Sequence, residues 1–228
     1  IAAGNSLYSL EGAVYRLSGL NSAGESITEI ITLDSSGRAQ SQLEYGVGTK
    51  VTAQEISAPS GYALNSAVYS VTITEDESTN VINAYDIPLY ASGSAIVLNK
   101  VDSTGADRPV VSSPAVFKVE FFANSDWSGD PARIWYFRTG PDGVMDMSSE
   151  DFLETDISDA LFKDPSGNVA LPLGTVRVSE FQAPAGYALS SEILRGSITA
   201  ASESAVFSWE DGTRERLLSN ISRTSGDE

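Results

Sequence analysis

Three side chains of this 228-residue chain sit where acid–base and nucleophilic chemistry is possible: Glu55, Glu180 and Lys100. In "KVTAQEI" Glu55 shares strand parity with Val51 and Ala53; in "TVRVSEF" Glu180 shares it with Val176 and Val178. Successive side chains of a strand point to opposite faces, so both carboxyls fall on apolar faces. A carboxyl there must be neutral or paired. One resolution is bland: each accepts from a local amide or turns outward at its strand end. The other involves lysine, which occurs only as Lys50, Lys100, Lys118 and Lys163. In "AIVLNKVD" Lys100 shares parity with Ile96 and Leu98, with Val97, Asn99 and Val101 opposite, the pattern of a strand covered on both faces. Desolvation favours the neutral amine, which is a nucleophile. Beside a protonated glutamate and a side-chain amide, that amine can attack the amide carbonyl while the acid shuttles protons. Ammonia leaves and an isopeptide bond remains. An aspartate acceptor would lose water instead.

The elements that must position these groups come in two sets. Glu55 and Glu180 each open the sequence Glu-x-x-Ala-Pro-x-Gly-Tyr-Ala-Leu, in "AQEISAPSGYALN" and "SEFQAPAGYALS", 125 residues apart. A repeat at about half the chain length implies two copies of one module, and the length suits two domains. Strand-like runs recur in the same order. "GAVYRLSG" is answered by "PAVFKVEFFA", "TEIITLDSSGRAQ" by "ARIWYFRTGPDGVMDM", and "GTKVTAQE" by "GTVRVSE". "AVYSVTITEDEST" and "NVINAYDIP" complete the first set; "SSEILRGSITA", "SAVFSWEDG" and "ERLLSNIS" complete the second. The expected architecture is all-β: two tandem β-sandwich domains, residues 1–90 and 91–222, with the boundary around Tyr90 to Gly93. One insertion, Ser148 to Asp164, spaces Phe152, Leu153, Ile157, Leu161 and Phe162 as a short helix would. Asp and Ser at its start suit an N-cap, so a helical insertion is expected near 148–165.

Composition narrows the chemistry. Apolar residues make up 41% of the chain, enough for a packed core per domain. Fourteen basic and 31 acidic residues leave a net charge of −17, which argues against nucleic acid or an anionic membrane as partner. With no cysteine and no histidine, disulfides, Cys/His metal sites and Ser-His-Asp or Cys-His catalysis are excluded. No apolar run reaches membrane-spanning length. The start at Ile1 and the polar end "SRTSGDE" lead to the expectation of a mature fragment of something longer. If such a chain is extracellular, its covalent staple must be something other than sulfur.

"NKVDSTG" followed by "AVFKV" and then "GTVRVSEFQAPAGYAL" resembles the Cna protein B-type domains, SpaA-like and prealbumin-like, of Gram-positive adhesin stalks and sortase-assembled pili. The resemblance covers roughly Leu7 to Pro88 and Ser94 to Asn220. It implies a transthyretin-like sandwich and a Lys–Asn or Lys–Asp isopeptide bond joining first and last strands, with a glutamate as catalyst. Carried over residue by residue, it implies Lys100 as the amine, Glu180 as the acid and Asn220 in "LLSNIS" as the acceptor. In the first module Glu55 is the equivalent acid, with Asp86 or Asn83 as acceptor. The lysine that should precede Ala13 by the spacing of Lys100 to Ala115 falls before Ile1, so the first domain is expected to lack its first strand. Lys50 shares its strand and parity with Glu55 and does not replace it.

The expectation is therefore a structural stalk or shaft segment at the cell surface, not an enzyme, needing no cofactor or metal. Its partners would be neighbouring domains or subunits, with host matrix or glycan as a further possibility. The rival is an adhesive tip, with the insertion and Trp127, Trp135 and Trp209 as ligand surface. Core packing is the competing reading for Trp135. A carboxylate hydrolase has acids available, but in no selecting spacing. The acidic loops "GPDGVMD" and "DISDALFKD" lack EF-hand spacing for calcium.

Overall fold

Period-two burial builds the large sheets. The computed structural model describes residues 1–75, 80–92, 96–99, 113–199, 205–209 and 215–218. Tyr8–Leu89 forms one unit, and Ile1–Leu7 with the chain from Tyr90 onward forms the other. The sequence reading had put Ile1 to Leu7 with the first domain. These residues instead join the second, where the Asn5 side-chain amide donates to the Leu173 carbonyl at 2.6 Å.

The first unit contains β1 (Val14–Leu20), β2 (Ser26–Thr32), β3 (Lys50–Ser57), β4 (Tyr62–Ala63), β5 (Val68–Thr72) and β6 (Ile87–Pro88). Its main sheet has the order β2-β1-β3-β5, and β4 pairs with β6. On β3, Val51, Ala53 and Glu55 are buried between less buried neighbours. Ala13, Tyr15, Leu17, Val51 and Ala53 form the core, against which Ile31, Leu33, Val71, Ile73 and Ile82 are only partly buried.

The second unit contains β7 (Tyr90–Ser92), β8 (Val97–Asn99), β9 (Val116–Phe122), β10 (Arg133–Arg138), β11 (Val144–Asp146), β12 (Ala170–Pro172), β13 (Gly174–Gln182), β14 (Ile193–Ile198), β15 (Ala205–Trp209) and β16 (Glu215–Leu218). Its large sheet runs β10-β9-β13-β14-β15-β16, while β8 pairs with β11 and β7 with β12. The order β10-β9-β13-β14 repeats β2-β1-β3-β5, so the sequence repeat is a repeat of topology. The core is fuller here: Val119, Trp135, Phe137, Met145, Met147 and Val176 have no exposed surface.

The insertion is not the expected amphipathic helix. It holds one three-residue 3-10 turn, Thr155–Ile157, with no side-chain cap. The edge of β10 offers its backbone a better partner. Arg138 N donates to Phe152 O at 2.9 Å, Glu154 N to Tyr136 O at 2.8 Å and Asp159 N to Ile134 O at 2.9 Å, so the segment follows the sheet edge. Its apolar spacing serves packing: Phe162 meets Phe121 and Trp135 at ring-centroid distances of 5.3 and 5.9 Å.

One ionic cluster ties β9 to β13. Glu120, 6% exposed, accepts from Lys118 Nζ and Arg177 Nε, each at 2.7 Å. Burial alone would raise its pKa, but the bonds from Arg177 and Lys118 hold the carboxyl below its ordinary value. Such a group stabilises the fold above the unfolded carboxyl pKa of about 4.3, and the contribution is lost as pH falls through the depressed folded value. Glu120→Ala leaves two cations facing each other. Because both are part-exposed, a cost of about 2 kcal/mol at neutral pH is expected, narrowing on acidification. Urea unfolding of the variant across the acid range checks both.

Candidate functional site: a buried glutamate in each sandwich

Each glutamate sits at a break in strand register. Tyr15 faces Glu55 and Val14 faces Ser57, so Ile56 is left over. Phe117 faces Glu180 and Val116 faces Gln182, so Phe181 is left over. The same one-residue bulge therefore follows both acids, turning the bulged side chain outward and leaving the carboxyl inside. Glu55 is 3% exposed and Glu180 7%.

The rest of the repeated sequence supplies a turn and a tether. Tyr62 N donates to Pro59 O at 3.2 Å and Tyr187 N to Pro184 O at 3.1 Å. The glycines between, Gly61 and Gly186, have φ of 84° and 87°, as the third position of a type II turn requires. Glu55 Oε2 then accepts from Asn65 N at 2.6 Å, and Glu180 Oε2 from Ser190 N at 2.7 Å. Acid and receiving amide are ten residues apart in both copies. The repeat thus builds one device twice: a buried carboxyl with one oxygen fixed to the backbone.

The first module completes its device with Asp86. Tyr15 Oη donates to Asp86 Oδ1 at 2.9 Å, which brings the Asp86 charge close to the Glu55 carboxyl. Glu55 Oε1 is buried with no hydrogen-bond partner among the described residues. Burial, and then the negative charge of Asp86, push the Glu55 pKa up despite the opposing Asn65 amide bond. Burial, with Asp86 adding to it, also raises the Tyr15 phenol. Of the two acceptors named from sequence, the structure brings Asp86 to Glu55, while Asn83 is exposed. Lys50 is exposed at the start of β3. Tyr15 escaped the sequence reading; its place opposite the glutamate, where the second module has Phe117, is visible only once the bulge fixes the register.

A group whose folded pKa lies above its unfolded value stabilises below the unfolded pKa of about 4.3, and that stability is lost as pH rises through the folded value. Glu55→Gln is always neutral and supplies an N–H to Asp86. It is expected to stabilise the first sandwich by about 1–3 kcal/mol at pH 7 and by little in acid. Thermal melts of both proteins at the two pH values are the check.

In the second module Ile96 and Leu98 are 2% and 8% exposed. They are the inward parity of the segment leading to Lys100. Lys100 and Asn220 themselves lie outside the described residues. Trp135 has no exposed surface, and its Nε1 donates to Ala160 O at 3.2 Å, which corrects its assignment to a ligand surface: a ring closed in by Phe121 and Phe162 cannot meet a ligand. Trp127 Nε1 is held by the Val176 carbonyl at 3.0 Å, and the side chain of Trp209 lies outside the described ones. Among the described residues no three acidic side chains converge on a metal position, and no helix is long and apolar enough to cross a membrane. Asp142 and Asp146 instead accept from the Val144 and Ser148 amides of their own turns.

Two copies of one strand order, each around a tethered buried glutamate, define a pair of prealbumin-like modules. Residues 4–87 match the family model for the SpaA prealbumin-like fold domain. Among solved structures, the Bacillus anthracis TIE protein is similar in fold, with a TM-score of 0.53 and 21% identity over 84% of this chain. The chain spans 29% of that protein's length. None of the curated proteins compared matches it.

Proposed function

We propose that this chain is a structural segment, a stalk or shaft, of a Gram-positive cell-surface adhesin or pilus, and that its second sandwich staples itself. In this reading Lys100 Nζ attacks the Asn220 side-chain carbonyl carbon, the C–N bond of the carboxamide breaks, and ammonia leaves. Glu180 carries the proton from the amine to the leaving group. The chain would work outside the cell among neighbouring domains or subunits of the same assembly, with no turnover and no cofactor. The observation that carries the reading is the duplicated device: a glutamate buried at an identical bulge and tethered to the amide ten residues on, in both copies. A carboxyl that only needed solvation would not be enclosed twice. The burial of Ile96 and Leu98 adds support, because these are the two apolar residues whose parity the sequence shares with Lys100.

Intact mass tests this. The wild-type chain is expected to weigh one ammonia less than its sequence, and Glu180→Ala to weigh its full sequence mass. A wild-type chain at full mass would end the proposal.

A further inference from the structure

The two sheets that share one strand order end differently. In the second sandwich β14 is followed in its sheet by β15, antiparallel, with Leu194 facing Trp209 and Ser197 facing Val206. In the first, β5 holds the place of β14 and is the last strand. Its open side follows from the ladder. Ile73 N donates to Thr49 O at 2.9 Å and Gly48 N to Ile73 O at 2.8 Å, so Ile73 faces β3. Antiparallel bonding alternates, so Val71 and Tyr69 also face β3, while Thr72, Ser70 and Val68 turn their N–H and C=O outward. Among the described residues those outward groups meet no partner. Just past the strand, Thr74 N donates to Asn80 Oδ1 at 3.3 Å, which closes that end of the edge. Exposed edges are ordinarily blunted by charge, proline or a bulge. Val-Tyr-Ser-Val-Thr has no charge and no proline, and its register with β3 is unbroken. Val68 is 60% exposed, and Tyr85, whose ring lies 6.4 Å from that of Tyr69, is 72% exposed.

We propose that β5 is a self-association edge, pairing antiparallel with β5 of a second copy of this chain and joining the two four-stranded sheets into one. Three observations select a second copy. The same place in the sister module takes an antiparallel strand, β15. A two-fold axis at Ser70 sets Ser70 against Ser70 and Val68 against Thr72, so each outward N–H meets an outward C=O and β-branched side chains face each other. And β5 is uncharged in a chain of net charge −17. Identical strands therefore meet without like charges at the seam, and a charged partner strand finds no opposite charge on it. The remaining acidic surface of each copy repels the other, so the pairing is weak in dilute buffer and strengthens with salt. The inference stands apart from the bond proposed for the second sandwich, and neither result bears on the other.

The chain has no cysteine, so Ser70→Cys introduces a single thiol. Facing residues of a hydrogen-bonded antiparallel pair have Cα atoms about 5.5 Å apart, within the span of a disulfide. Mild oxidation of the whole Ser70→Cys chain is expected to give a disulfide-linked dimer, and Ser26→Cys, on the opposite edge strand β2, is expected to stay largely monomeric. In sedimentation, the average mass of the unmodified chain should rise with protein concentration and with salt. Ser70→Glu, at an exposed position, sets two carboxylates face to face and should abolish that rise while leaving the melt of the dilute chain unchanged. A chain that stays monomeric at millimolar concentration in high salt would overturn the proposal. So would a dimer indifferent to Ser70→Glu, or cross-linking of Ser26→Cys as ready as that of Ser70→Cys. Amides of residues 68, 70 and 72 that gain protection only when a different protein is added would assign the edge to that partner and overturn it as well.

Discussion

Lys100→Arg is expected to lower the melting temperature of the second sandwich steeply. Arginine keeps the charge and much of the length but cannot act as the nucleophile. The loop closed by a Lys100–Asn220 bond holds about 120 residues, and the chain-entropy model for cross-links gives about 4–5 kcal/mol for a loop of that size. Against a typical domain stability of about 5–15 kcal/mol that is a large fraction. At roughly 2–4 °C per kcal/mol for a domain of this size, the drop is about 10–20 °C, read by scanning calorimetry. The first sandwich supplies an internal reference, since its transition should not move. Glu180→Gln should match the arginine variant, because it keeps the oxygen that accepts from Ser190 N while removing the proton carrier. Equal melting temperatures for wild type and Lys100→Arg would show that no bond was lost.

Trp135→Ala is expected to cost the second sandwich about 3–5 kcal/mol, through lost transfer energy and the cavity left behind. The ring lies on β10 without exposed surface, against Phe121 at 6.3 Å and Phe162 at 5.9 Å. Its removal also takes the donor from the Ala160 carbonyl. Because Ala160 and Phe162 belong to the insertion, the insertion should loosen with the core, which limited proteolysis will register as new cleavage there. Trp127→Ala should cost less, since that ring is half exposed and makes one bond to Val176 O and a contact with the Arg195 guanidinium at 5.5 Å. A Trp135→Ala protein that melts like wild type would mean that the stacking around this ring contributes little.

Much of this fold could be read before any coordinates, for a simple reason. Strand parity is a period of two, and both glutamates share theirs with valine or alanine, so their burial follows from counting. The repeat adds the strand order. The bulge after each acid could not be read, because one extra residue in a strand leaves no mark until a partner strand fixes the register. That is why Tyr15, facing Glu55 across the bulge, was missed, and why Asp86 and Asn83 could not be separated. The insertion was misread because 3.6-residue spacing of Phe152, Leu153 and Ile157 also arises in an irregular edge segment, and the decisive fact is that its amides find the carbonyls of β10. Ile1–Leu7 was placed with its neighbours in sequence, whereas Asn5 finds its partner at Leu173.

The self-stapling of the second sandwich is tested most directly by peptide mapping of the denatured whole chain after digestion by a lysine-specific protease. The account predicts no cleavage after Lys100 and a branched peptide joining the segments around Lys100 and Asn220, lighter by one ammonia than the two together. Recovery of both segments as separate linear peptides, with Lys100 cut and Asn220 still a carboxamide, would contradict it.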